Sequence, residues 1–281
     1  MIKVQKMSFS YSNKPYMENI SFEVRAGEIF GFLGPSGAGK STLQKILTGV
    51  NVDYSGSVVV NNQEVKYAPS SFYENIGVDF EFPSLYEKLT GRENLNFFAS
   101  LYKKKLNVDI LLESVDLLHE GDKKTSQYSK GMKSRLNFIK ALVHDPQIVF
   151  LDEPTNGLDP NNARSMKNII LELKKQGKTI ILTTHNMFDA QELCDRVAFI
   201  VDGKIKVIDS PHNLIMSRGA AKINYTYMNQ VHEISSSSLL NETAKDETLI
   251  DMIMNNRLVS IHSTEPNLND IFIEMTGKEL L

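Results

Sequence analysis

The sequence predicts an α/β fold organised around a parallel sheet, and three apolar runs carry that expectation. Ile29 to Leu33, Ile148 to Leu151 and Thr179 to Thr184 are short and show no strict polar alternation, the pattern of strands covered on both faces. Helical patterns accompany them. Leu43, Ile46 and Leu47 recur at helical spacing until Gly49 stops the helix, and Asp159 to Gly177 reads as a helix feeding the third run.

The first strand runs directly into Gly34-Pro35-Ser36-Gly37-Ala38-Gly39-Lys40-Ser41-Thr42, which has the phosphate-loop spacing of Gly, four residues, then Gly-Lys-Ser. Glycines at these positions let backbone N–H groups close around phosphates, and the helix N-terminus adds positive potential. Lys40 is placed to reach the β and γ phosphates, and the Ser41 hydroxyl to ligate Mg²⁺. A glycine-rich turn ahead of a helix is the alternative, and the strand, loop and helix order counts against it. The chain is therefore expected to bind a nucleoside triphosphate.

The second strand delivers Asp152 and Glu153 at its C-terminal end, where open α/β sheets bind their ligands. Adjacent strand residues point in opposite directions, so the pair is expected to divide the labour. Asp152 would hold Mg²⁺ or its water, and Glu153 would face the attacking water. The plainer alternative is an acidic strand exit entering a turn at Pro154 and Gly157.

Tyr128-Ser129-Lys130-Gly131-Met132-Lys133-Ser134-Arg135-Leu136 resembles the signature segment of ATP-binding cassette (ABC) proteins. Met132, Leu136, Ile139 and Val143 follow at helical spacing, which places Ser129 and Gly131 at a helix N-terminus with N–H groups free for an anion. Read alone, the segment is also an ordinary Ser-capped helix. The resemblance implies a phosphate-loop NTPase of the ABC cassette type, with a RecA-like core, an antiparallel β subdomain and a helical subdomain. It implies ATP and Mg²⁺ as cofactors, and a head-to-tail pair of ATPase subunits in which Ser129 and Gly131 of one meet the γ phosphate held by the other. Tyr128, Lys130 and Met132 depart from the commonest Leu-Ser-Gly-Gly-Gln form, a variant similar to many bacterial exporter subunits.

Other positions match the family in its order. Tyr11 falls where the cassette stacks an aromatic ring on adenine, although a tyrosine in a β-rich segment also serves plain strand packing. Asn156-Gly157-Leu158-Asp159 resembles the loop that crosses between subunits, and Asp159 can also cap the helix beginning at Pro160. His185 ends the third strand run and resembles the family's γ-phosphate sensor. By resemblance, Lys40, Glu153 and His185 form the catalytic group, and Ser41, Asp152 and Glu81 surround the metal.

Glu81 breaks the pattern. Within Ile76-Gly77-Val78-Asp79-Phe80-Glu81-Phe82-Pro83-Ser84-Leu85-Tyr86 it stands where the family's usual residue is Gln, which touches Mg²⁺ or the attacking water and carries motion to the membrane partner. A carboxylate is a harder Mg²⁺ ligand than an amide, but it adds repulsion near the γ phosphate and near Asp152 and Glu153. The variant resembles exporters of bacitracin-like and lantibiotic-like peptides. Neutral drift in a solvated loop is the competing reading.

Residues 1 to about 30 and 56 to 80 are rich in short alternating segments, expected to form the antiparallel β layer. Residues 83 to 135 read as the helical subdomain, with Thr90-Gly91-Arg92-Glu93 at capping-box spacing and Leu95, Phe98 and Leu101 along one face. Asp202-Gly203 joins two short strands as a hairpin. The cassette is expected over 1 to 210 and a small α/β extension over 211 to 281. In that extension Ile223, Tyr225 and Tyr227 alternate, Ser235 to Ser238 mark a loop, and Leu268, Ile271, Phe272 and Met275 form a last helix. Its ending, Glu265-Pro266-Asn267-Leu268-Asn269-Asp270-Ile271-Phe272, resembles the tails of exporter ATPases.

A chain of 281 residues with net charge −3 holds one cassette and an appendage, and offers no broad basic field for nucleic acid. Cys194 is the sole cysteine, which excludes internal disulfides and fits a reducing cytoplasm. Neither a signal peptide nor an apolar run near the ~20 residues of a membrane helix is expected. The partner implied is thus a separate transmembrane permease, with this chain peripheral on the cytoplasmic face of the membrane, exporting a drug- or peptide-class cargo. The alternatives are a non-transport cassette acting on nucleic acid or the ribosome, against which the absence of a second cassette and of zinc-spaced cysteines counts, and an importer ATPase.

Overall fold

The computed structural model describes residues 2–12, 14–218, 222–229, 232–264 and 267–278. Two compact units are present, Met1–Ile208 and Asp209–Glu279.

The first unit contains two sheets. Strands β1 (Ile2–Phe9) and β2 (Met17–Val24) belong to the antiparallel layer, and β3 (Ile29–Leu33) to the parallel one, followed by helix α1 (Lys40–Leu47). β4 (Tyr54–Val60) and β5 (Gln63–Glu64) complete the antiparallel sheet in the order β2-β1-β4-β5. On β2 strict alternation buries Ile20, Phe22 and Val24 and exposes the residues between. β1 departs from alternation. Val4 and Met7, an odd distance apart, are both buried because the register shifts between them and Lys6 adopts φ 49, a bulge.

Short helix α2 (Ser70–Tyr73) leads to β6 (Ile76–Asp79), then come α3 (Gly91–Ser100), α4 (Val108–Ser114) and α5 (Lys130–Lys140). β7 (Ile148–Asp152), α6 (Pro160–Lys175), β8 (Thr179–Thr184), α7 (Met187–Leu193), β9 (Arg196–Val201) and β10 (Lys204–Asp209) finish the unit. The second sheet has the order β10-β9-β3-β8-β7-β6. From β9 to β6 it is parallel. β10 returns beside β9 through Asp202 and Gly203, both at positive φ, as a two-residue hairpin requires. β3, β7 and β8 are buried at every position, which explains their unbroken apolar runs.

Phe22 from the antiparallel sheet packs on Phe30 and Phe32 from β3, with ring centroids 5.8 Å and 5.2 Å apart. These fully or nearly buried rings lock the two sheets together. Removing one, as in Phe32→Ala, is expected to cost about 3–5 kcal/mol.

Three expectations are corrected here. The β layer anticipated over 56 to 80 ends at Glu64, and β6 joins the parallel sheet. A short apolar pattern does not say which sheet a strand enters. Leu101 is exposed rather than part of the buried α3 face, because the helix ends at Ser100 and Leu101 is its cap. The Thr90 capping box is formed, its hydroxyl accepting from Glu93 N and the Glu93 carboxylate from Thr90 N.

In the second unit, α8 (Pro211–Arg218) precedes a three-stranded antiparallel sheet of β11 (Lys222–Asn229) and β12 (His232–Leu239), joined after α9 (Glu247–Met254) by β13 (Leu258–Thr264) in the order β12-β11-β13. The third correction lies here, since Ser235 to Ser238 are strand rather than loop and pair with Thr226 to Ile223. Serine has a weak strand preference, but ladder pairing at a sheet edge overrides it. Tyr225 is buried and donates its hydroxyl to Asp246, which caps α9. Helix α10 (Leu268–Thr276) starts with an Asn267–Asp270 capping box and buries Leu268, Ile271 and Phe272. Glu265 and Pro266 lie outside the described residues.

Candidate nucleotide-binding site

The loop between β3 and α1 is shaped by its glycines. A side chain at Gly34 would meet the Ile200 carbonyl oxygen at 2.1 Å, so only glycine lets the loop pass beside β9. Gly39 caps α1 at φ 110 and contributes no side-chain acceptor, which leaves the first N–H groups of the helix without a capping side chain. Ala38 N donates to Pro35 O at 3.2 Å and closes the turn. The result is a ring of N–H donors at a positive helix end, a built anion site.

Lys40 is nearly buried and folds back over the loop, donating Nζ to Gly34 O at 2.7 Å and Pro35 O at 3.1 Å. Burial lowers its pKa, and the carboxylates of Glu153, Asp152 and Glu81 push it back up. The ammonium therefore sits between carbonyl dipoles and three acidic groups. A phosphate entering the loop would replace the carbonyl partners with a full charge, a stronger hydrogen-bond acceptor.

A cleft of about 270 Å³ opens above this loop, lined by Ser36, Lys40, Ser41, Glu81, Asp152 and His185 among others. Asp152 ends β7, is buried, and accepts a hydrogen bond from the Thr183 hydroxyl on β8. Glu153 differs from the strand expectation. It lies one residue past β7 with φ 52, so its direction comes from a left-handed kink and not from strand alternation. The kink turns the carboxylate toward the end of β8, where Oε1 lies 2.8 Å from His185 Nδ1 and Oε2 accepts from Thr184 Oγ1 at 3.1 Å. A carboxylate so held, beside a half-exposed imidazole, can accept a proton from a water in the cleft.

Glu81, two residues beyond β6, is exposed and reaches the same cleft. Ser41, Asp152 and Glu81 offer hard oxygen donors, and Mg²⁺ uses one or two carboxylates together with substrate phosphates. The donor set fits that ion. Just upstream, burial pushes the Asp79 carboxyl up to about 7, with Asp152 adding to the rise and Lys140 and Asn137 opposing it.

Tyr11 and Tyr16 stand side by side at the loop, ring centroids 5.4 Å apart. The Tyr11 hydroxyl is 2.9 Å from Thr42 Oγ1, and its ring also packs edge-on against Phe9. Tyr16, which the sequence reading passed over, lines the cleft and donates its hydroxyl to Gly37 O at 2.9 Å. Nothing in the local pattern marks it, since its partner is a loop carbonyl 21 residues away.

Ser129, Gly131 and Asp159 do not line this cleft. Ser129 is exposed and caps α5, accepting from Met132 N at 3.2 Å. Asp159 caps α6, accepting from Asn161 N and Asn162 N at 3.1 Å each, and these bonds with that from the Asn162 side chain hold its pKa down. Ser129 and Asp159 are both exposed, and the start of α5 borders a smaller cavity that Lys130 and Ser134 share with Glu81, Asp152 and Glu153.

Strand, phosphate loop, carboxylate pair and histidine together define a phosphate-loop ATPase. The ABC transporter family model matches residues 17–156. The fluoroquinolones export ATP-binding protein of Mycobacterium tuberculosis is 44% identical over 284 residues, covering 100% of this chain and 94% of the relative. The Nod factor export ATP-binding protein I of Rhizobium meliloti is 35% identical over 297 residues, covering 99% and 89%. Among solved structures, an ATP-binding subunit of an ABC transporter superposes with a TM-score of 0.71 at 27% identity, covering 77% of this chain and 92% of that one. A dimeric ATP-binding cassette bound to ADP and phosphate gives 0.68 at 23% identity and shares the fold. The chain belongs to the ABC transporter family as an ATP-binding subunit, and its relatives are export ATP-binding proteins.

Proposed function

We propose that this chain hydrolyses ATP in a head-to-tail pair beneath a separate membrane-spanning partner and so powers export of a drug-class cargo. The observation that carries this reading is the convergence of Lys40, Ser41, Asp152, Glu153 and His185 on one cleft while Ser129, exposed at the start of α5, is not among its lining residues. In this reading the exposed Ser129 segment serves the cleft of another copy.

In this reading the loop N–H groups and Lys40 hold the β and γ phosphates, and Tyr11 and Tyr16 flank the base or ribose. Ser41 and Asp152 would hold Mg²⁺, with Glu81 as a further ligand, and the ion would supply charge neutralisation at the phosphates. Glu153 takes the proton of the attacking water, and His185 orients it and the γ phosphate. Ser129 and Gly131 contact the γ phosphate on the other subunit, and Asp159 shapes the crossing loop.

The permease side is supported by an aromatic face. Phe82 is exposed, and Tyr86 packs edge-on with Phe97 at 5.0 Å, leaving both partly open on the helical side of the Glu81 loop. Among the described residues no helix is long and apolar enough to cross a membrane. The export ATP-binding relatives support a separate membrane-spanning partner, with this chain peripheral on the cytoplasmic face. The 44% identity to a fluoroquinolones export ATP-binding protein favours a drug over the bacitracin-like peptides suggested by Glu81.

Reconstitution with the membrane protein that copurifies tests this directly. Vesicles should take up a fluoroquinolone when supplied with external Mg-ATP. Hydrolysis without transport of any such compound would break the export assignment.

A further inference from the structure

The loop bearing Glu81 is held by a buried amide on the helix that presents Ser129. Asn137, on α5, is 2% exposed. Its Nδ2 donates to Asp79 Oδ1 and, at 3.2 Å, to Phe80 O, while its Oδ1 accepts from Ser84 N at 3.3 Å. One turn on, Lys140 Nζ donates to Ser84 O at 3.1 Å. The segment on both sides of Glu81 is therefore tied to α5 at four points. Farther along, fully buried Asn94 on α3 accepts from Tyr86 N at 2.8 Å and donates to Tyr86 O at 3.1 Å.

Burying an amide against a carboxylate is costly unless every polar atom is paired, and here the pairing is complete on Asn137. An apolar residue in its place would leave the buried Asp79 carboxyl and the Phe80 carbonyl without this donor. The amide's distinguishing effect is geometric, since three directional bonds fix both the start and the far side of the loop relative to one helix.

We infer that Asn137 is a positioning residue that sets the Glu81 loop and the Ser129 helix start as one piece, so that the contact with a chain's own nucleotide and the contact with its partner's are aligned together. This rests on the head-to-tail pairing proposed above. Loosening the tie leaves the phosphate loop intact, because no Asn137 bond reaches it. It lets Glu81 and Ser129 settle independently, and the closed pair then forms with misaligned contacts.

The test uses the full chain carrying Glu153→Gln as parent. Binding of a fluorescent ATP analogue to dilute chain reports the chain's own site, and sedimentation with Mg-ATP reports pairing. Adding Asn137→Ala should weaken ATP-driven pairing about tenfold while analogue affinity stays within about twofold. Ser84→Pro, which deletes one donor in an exposed loop, should act in the same direction and serves as the deciding variant if Asn137→Ala fails to fold. Pairing equal to the parent overturns the inference. So does a parallel fall of affinity and pairing, which marks a general structural role. A parent that never pairs overturns the head-to-tail reading along with it, whereas a pairing parent matched by its variants removes the positioning role alone.

Discussion

Glu153 Oε1 and His185 Nδ1 lie 2.8 Å apart, joined across the ends of β7 and β8. The contact depends on the left-handed backbone at Glu153, which aims the carboxylate along the sheet edge. If His185 orients the base and the γ phosphate, His185→Ala should lower kcat by about 10²-fold or more with a smaller change in KM. Steady-state kinetics over a range of ATP concentrations separate the two. A variant impaired only in KM would move His185 from chemistry to binding.

Lys40 supplies a buried ammonium already poised over the loop. Lys40→Ala should weaken nucleotide binding by about 2 kcal/mol and bring hydrolysis to background. Calorimetric titration with ATP and a phosphate-release assay on the same preparation check both. Wild-type turnover by the variant would remove the phosphate-loop assignment.

Asp79 makes a stability prediction with a definite sign. Its folded pKa of about 7 stands above the ordinary carboxylate value of about 4. Between these limits the folded chain binds a proton that the unfolded chain has released. The stability linked to protonated Asp79 is thus fully present below about pH 4 and is lost as pH rises through about 7. Asp79→Asn removes that loss. Its melting temperature relative to wild type should rise by about 3 °C or more between pH 5 and pH 8. Parallel melting curves for the two proteins across that range would contradict the burial argument.

Much of the site is readable from spacing because the chemistry is local to the chain. Gly34 to Thr42 encodes its own backbone shape, and Asp159-Pro160 or Thr90 to Glu93 encode helix starts. What escapes is set by distant contacts. Asn137 meets Asp79 across 58 residues and Tyr16 meets Gly37 across 21, and neither pair has a local pattern. The strand made by Ser235 to Ser238 is hidden for the same reason, since its β11 partners decide it against propensity. Glu153 shows a subtler failure. Alternation is a rule for strand residues, and the chain leaves the strand one residue earlier than that argument needs.

Glu81 tests whether a carboxylate has taken the place of the family's amide. If it helps hold Mg²⁺ and couples to the permease, Glu81→Gln should stay substantially active. Glu81→Ala should need several-fold more Mg²⁺, roughly the effect of a lost ligand, and should uncouple hydrolysis from transport. ATPase activity against Mg²⁺ concentration, measured beside export in the reconstituted complex, decides it. Identical curves for wild type and Glu81→Ala would make the residue a passive surface group.

The central claim is that the cleft holding Lys40 and Glu153 is half of a composite site. Glu153→Gln keeps the shape of the side chain and removes its basicity, so ATP should remain bound without being consumed. Sedimentation velocity of this variant measures the claim most directly. With Mg-ATP at saturating concentration it should run as a dimer, and with ADP or without nucleotide as a monomer. A monomer in saturating Mg-ATP, both alone and with the membrane partner, would contradict the account.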